Sequence, residues 1–138
     1  MKILRMMLLS LSVGAALTTQ SCTTDNANKD AYGVKAAIAK FHDQFNKNAY
    51  AEIYSESETR FKQGCPEADF VELLTKVHQI SGDYAGGTQS EFLEETDSNG
   101  HFVTSTQKST FKTRPIVEIF KYAITDGKPL LYNWKTGG

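Results

Sequence analysis

The sequence predicts an α+β domain in which N-terminal helices cover one face of a curved antiparallel sheet, and three observations carry that expectation. As far as Gly82 the apolar residues recur at spacings near four, the period of an amphipathic helix. Beyond it the period falls to two and the residues turn to threonine, serine, aromatic and β-branched types, as strands require. Turn signals at Ser98-Asn99-Gly100 and Asp126-Gly127 then join neighbouring strands as hairpins, which makes the sheet antiparallel.

The order begins with a segment to be excluded from the fold. Lys2 and Arg5 form a short basic start, Met6 to Leu17 is an apolar run and Thr18 to Cys22 is small and polar, the arrangement of a secretory signal over residues 1–21. A run of about a dozen apolar residues is too short to span a hydrocarbon core of roughly 30 Å as a helix. Two cleavage readings stand. Thr19 and Ser21 suit an ordinary signal peptidase, whereas Cys22 stands where a bacterial lipoprotein peptidase needs its cysteine, although Thr19 replaces the aliphatic residue usual three places before it. Residues 22–31, polar after Cys22, have the composition of a tether between a bilayer and a domain. The expectation is therefore a lipoprotein of the bacterial envelope, anchored by lipidated Cys22 and facing the periplasm. The alternative is a soluble secreted or periplasmic protein in which the chain's two cysteines, Cys22 and Cys65, close a disulfide.

Residues 32–138 are a suitable length for one domain. Removing the signal also removes Lys2 and Arg5, so the formal charge moves from −1 to −3. With no lysine or arginine cluster left, the electrostatic footprint of a nucleic-acid partner is missing.

Within the domain, Val34, Ile38, Phe41 and Phe45 share one face of a first helix from Ala31 to Lys47. Asn48 is placed to cap a short second helix, from Ala49 to Glu56, that buries Tyr50, Ile53 and Tyr54. A polar stretch leads to Pro66, which suits the first turn of a third helix. The expected stripe of that helix is Phe70, Leu73, Leu74, Val77 and Ile80, and its stop is Ser81-Gly82. The strands are expected at Thr88–Thr96, His101–Thr113, Ile116–Thr125 and Lys128–Lys135.

This order, with Phe70-Val71-Glu72-Leu73-Leu74…Val77-His78…Gly82 before the first strand and Thr110-Phe111-Lys112…Glu118-Ile119-Phe120…Asp126-Gly127-Lys128 in the later hairpin, resembles the cone-shaped, cystatin-like domains of the nuclear-transport-factor-2-like superfamily. It looks closest to that superfamily's uncharacterised bacterial lipoprotein and periplasmic families. The resemblance implies a cone of helices and sheet. It implies no activity, because the superfamily holds enzymes, scaffolds and domains without known chemistry.

For chemistry, enzymes of that superfamily place an acid inside the cone beside a donor. Glu118 is the one acid in the middle of an apolar strand, sharing its parity with Ile116, Phe120 and Tyr122. If that parity faces inward, Glu118 is a candidate general base with Tyr54 or Tyr122 as donor; if outward, it is solvated. Glu94 and Glu95 point to opposite faces of one strand, and Asp25, Asp30, Asp97 and Asp126 fall in the tether or turns. His42, His78 and His101 lack the mutual spacing of metal ligands and are read as structural or surface residues, so no metal and no cofactor is expected. Cys65, near the start of the third helix, reads as a packed or capping thiol. Phe92, Phe120, Tyr122, Tyr132 and Trp134 are the expected lining of a ligand cleft or partner face, with completion of the core as the other reading. The function expected is non-catalytic binding of an envelope protein or a small apolar ligand. The alternative is a small isomerase, dehydratase or hydrolase using Glu118.

Overall fold

The computed structural model describes residues 23–137; the signal segment, Cys22 and any Cys22–Cys65 bridge lie outside them. Four helices, α1 (Thr23–Asn46), α2 (Tyr50–Ser55), α3 (Thr59–Gly64) and α4 (Glu67–Ser81), precede four strands, β1 (Tyr84–Asp97), β2 (Gly100–Phe111), β3 (Pro115–Thr125) and β4 (Lys128–Gly137). The strands pair antiparallel in the order β1-β2-β3-β4, a meander forming an open, curved sheet. The architecture is α+β.

The first helix begins eight residues before the expected Ala31, so residues 23–30 of the expected tether are helical. No proline or glycine interrupts this stretch. Asp30 also fastens it: the carboxylate lies 3.0 Å from His101 Nε2 at the start of β2. Further along, Val34, Ile38, Phe41 and Phe45 are buried as their spacing requires, on a core that includes Val103, Phe111, Phe120, Leu131 and Trp134. The edge of the Phe41 ring meets Phe120 at 5.1 Å and 84°.

The polar stretch after α2 contains the unforeseen six-residue α3, capped by Glu58 accepting from the backbone of Arg60. Pro66 is the N-cap of α4 rather than its first residue. That helix closes at Gly82, whose φ of 73° favours glycine and whose N–H donates to His78 O at 2.8 Å. Its expected stripe is corrected. Phe70 and Leu74 are buried, but Leu73 and Ile80 are 46% and 63% exposed. The reason is placement: α4 packs chiefly on α2 rather than across the sheet, with Phe70 against Tyr54 and Phe61, so only a narrow stripe is covered.

On the concave face of the sheet the ladder sets Glu118 opposite Gln107, Phe120 opposite Ser105 and Tyr122 opposite Val103. The β3–β4 turn is tight, with Asp126 and Gly127 both at positive φ, 50° and 71°. A register shift after Lys121 leaves Tyr132 as an extra residue of β4, which separates its direction from that of Trp134.

Candidate functional site

Glu118 points inward from mid-β3 and is fully buried. Three elements converge on its carboxylate. From α1, His42 Nε2 lies 2.7 Å from Oε2; from β2, Ser109 Oγ donates to the same oxygen; from β4, Trp134 Nε1 donates to Oε1 at 3.1 Å. Each partner follows from local pattern. His42 sits one helical turn from Ile38 and Phe45, inside the apolar stripe. Ser109 has the inward parity of Val103 and Phe111, and Trp134 pairs with Phe120, the next inward residue after Glu118. Both carboxylate oxygens thus accept from protein donors, which is how a buried charge is sustained.

Aromatic rings enclose the imidazole. Tyr84 stacks on His42 at 3.6 Å with the rings parallel to 1°, and the edges of Phe111 and Phe120 face it. Asn46, one turn further along α1, holds Tyr84 by accepting from its N–H at 2.8 Å and donating to its carbonyl at 3.0 Å. Burial, then the negative charge of Glu118, raises the hydroxyl pKa of both Tyr84 and Tyr122 above the ordinary tyrosine value.

A cleft flanks α1 on each side. One, of about 430 Å³, lies between α1, α2 and the β3–β4 hairpin and is lined by Ala37, Phe41, Ile53, Tyr122 and Leu131. Its polar edge is Lys40, 2.7 Å from Glu56, with Gln44 donating to the same carboxylate; the hydrogen bond from Lys40 holds the Glu56 carboxyl below its usual range. Tyr122 is only 3% exposed, and its hydroxyl bonds to no described residue. Tyr122 is one of the residues that line the cleft. The second cleft, of about 390 Å³, lies between α1 and β1–β2 and is reached by His42, Tyr84, Gln89 and Gln107.

The residues expected from the sequence fall in different places. Glu118 faces inward, but neither tyrosine reaches its carboxylate. Tyr54 spends its hydroxyl on the carbonyls of Lys62 and Cys65, at 3.2 and 2.8 Å, closing α3. Tyr122 lies four residues along the strand from Glu118 and lines the first cleft. The five aromatics share no single face. Phe120 and Trp134 are in the core and Phe92 is partly buried beside it. Tyr132, turned by the register shift, meets Phe102 edge-to-face on the other side of the sheet under Arg60 and Lys121. Cys65 stands next to Pro66, the N-cap of α4, as expected, and is at the same time the C-cap of α3; burial raises its thiol pKa.

What the sequence reading missed is His42, Ser109 and Gln107. Their signal was present, because His42 interrupts an apolar helix face and Ser105, Gln107 and Ser109 interrupt the inward parity of β2 between Val103 and Phe111. A second group invisible in sequence is Asp30, Glu94 and His101, whose ligand-type atoms lie within 4.8 Å of one another. His101 Nε2 is 3.0 Å from Asp30 and 3.2 Å from Glu94, while Nδ1 is 2.7 Å from Thr96 Oγ1. The two carboxylates and the imidazole are of the type that could hold a divalent metal. As arranged, they satisfy one another and strap α1 to the β1–β2 hairpin. No family model and no curated protein matches the chain.

Proposed function

We propose that this chain is an envelope lipoprotein, anchored through Cys22, whose cystatin-like domain binds a small, mostly apolar ligand in the cleft between α1 and the β3–β4 hairpin. The observation that carries this reading is the cleft itself, about 430 Å³ and largely apolar, with Tyr122, whose hydroxyl has no hydrogen-bond partner among the described residues, in its wall. Sites for small molecules are typically about 300–1,000 Å³, apolar, and oriented by a few polar groups. Helices laid over the concave face of an antiparallel meander support the cystatin-like reading. The basic start, apolar run and cysteine at position 22 support export and anchoring. The enzyme reading with Glu118 as a base acting directly on substrate is disfavoured, because that carboxylate has no exposed surface and three protein donors.

The test is fluorescence titration with 1-anilinonaphthalene-8-sulfonate, an aromatic probe carrying one anionic group. The wild type binds one equivalent saturably. Ala37→Trp, which fills the cleft from α1, abolishes binding, and Tyr122→Phe weakens it. Unchanged binding in Ala37→Trp would sink the proposal.

A further inference from the structure

The three histidines differ in one respect. His78 has both ring nitrogens engaged, Nδ1 with Tyr50 and Nε2 with Asp83; His101 has Nδ1 on Thr96 and Nε2 on Asp30 and Glu94. His42 is the most buried of the three, 3% exposed, yet only Nε2 is engaged. Its Nδ1 bonds to no described residue, and since no fully buried side-chain nitrogen or oxygen among them is orphaned, Nδ1 opens onto the cleft between α1 and β1–β2.

Its chemical state follows from the partner. Glu118 accepts from Trp134 and Ser109, so it is the acceptor toward His42 as well, and the Nε2 proton is directed at it. In the neutral ring, Nδ1 then offers a lone pair to the cleft. Gln107 stands opposite Glu118 in the ladder and is 9% exposed; its amide N–H donates to Ser105, and the residue lines the same cleft. The charged and titratable groups around His42 are Glu118 from β3, Tyr84 from β1 and, at the mouth, Lys35 from α1 itself. Burial and the Glu118 charge keep the Tyr84 hydroxyl protonated, so it can donate but does not compete for a proton. A cleft of about 390 Å³ lies within the range of small-molecule sites.

We propose that His42 is an acid–base residue serving this cleft, with Glu118 as its positioning residue, and that the cleft takes a small, weakly acidic hydroxyl compound of the phenol or enol class. The ligand O–H bond breaks with its electron pair staying on oxygen, and an N–H bond forms at Nδ1. The imidazolium charge faces the Glu118 carboxylate, and the oxyanion lies toward the Lys35 ammonium. Return of the proton reverses the step, so no co-reactant is consumed. This site does not depend on the Tyr122 cleft across α1.

The probe is 4-nitrophenol, whose ionised form absorbs visibly, titrated with protein at a pH near the ionisation of the free phenol. The wild type produces a saturable rise in phenolate absorbance. His42→Gln weakens that binding roughly tenfold or more, the effect of losing one charge-assisted hydrogen bond. Gln89→Trp, at an exposed position on the rim, blocks the cleft while leaving the His42–Glu118 pair intact, and abolishes the rise even if His42→Gln fails to fold. His101→Gln retains it. No saturable rise in the wild type, or a rise that survives in folded His42→Gln or in Gln89→Trp, overturns the proposal.

Discussion

Replacing Glu118 with alanine removes the acceptor of three buried donors at once: the Nε2–H of His42, the hydroxyl of Ser109 and the indole N–H of Trp134. Each orphaned donor costs about 1–3 kcal/mol. Ser109 can re-aim its hydroxyl and His42 can change tautomer, whereas the Trp134 N–H can only donate, so the sum falls short of three full penalties. A loss of about 3–5 kcal/mol is expected, the range for breaking one side of a buried ionic pair. Against a typical domain stability of about 5–15 kcal/mol, that leaves the variant marginal. Glu118→Gln keeps the shape and one acceptor oxygen, and should lose about 1–2 kcal/mol. The assay is urea denaturation read by the fluorescence of Trp134, the sole tryptophan, which is 6% exposed in the fold and so reports unfolding directly. Pairing Glu118→Leu with His42→Leu should cost less than the sum of the two single changes by at least about 1 kcal/mol, because the double variant no longer strands one partner. A loss below about 1 kcal/mol for Glu118→Ala, or additive single losses, would refute the sealed network.

Along α4, Phe70→Ala and Leu74→Ala should each cost about 2–5 kcal/mol, while Leu73→Ala and Ile80→Ala, on the exposed side, should stay within about 0.5 kcal/mol in the same denaturation assay. Tyr122 ionises in the unfolded chain near 10, but burial and the Glu118 charge hold it neutral well above that in the fold. Above pH 10 the unfolded state therefore binds fewer protons than the native one, so this group leaves stability untouched below that pH and lowers it as pH rises further; Tyr122→Phe should flatten the alkaline limb of stability measured from pH 8 to 11. Cys22→Ser should shift the protein from the membrane to the soluble fraction of its host, since the acyl chains supply about 0.8 kcal/mol per buried methylene; labelled palmitate that fails to enter the wild type would exclude the anchor.

The parts of the fold readable from sequence are those where one period governs a long run. Val34, Ile38, Phe41 and Phe45 form one stripe over about three turns and are all buried. The strands after Gly82 lie within a few residues of their expected places, and the even parity of β3 does bring Glu118 inside. Failures occur where a neighbour decides. Leu73 and Ile80 carry a full helical stripe, but whether it is used depends on how much of α4 has something to pack against. Tyr132 and Trp134 share parity in sequence, and one extra residue in β4 sends them to opposite faces. Asp30 reads as tether until the fold brings His101, 71 residues away, against it. His42 was legible as an anomaly in an apolar stripe, but its partner is 76 residues distant and no local rule pairs them.

That anomaly bears on what the site is for. Burying an imidazole and a carboxylate in a small core costs several kcal/mol per ion, and apolar residues of the same volume often stabilise a fold as well or better. A purely structural device would be expected to use every hydrogen-bonding valence it buries. The Glu118 network does so at the carboxylate, with donors from three elements. It does not do so at His42, whose Nδ1 has no partner among the described residues and whose ring, lining the β1–β2 cleft, is oriented by Glu118 at Nε2 and by Tyr84 against its face. Orientation on one side and an open acceptor on the other is the division of labour required of a group that exchanges a proton with a bound molecule. α1 accordingly separates two clefts of different chemistry, a largely apolar one walled by Tyr122 and edged by Lys40 and Glu56, and a polar one whose acceptor strength is set from inside the core.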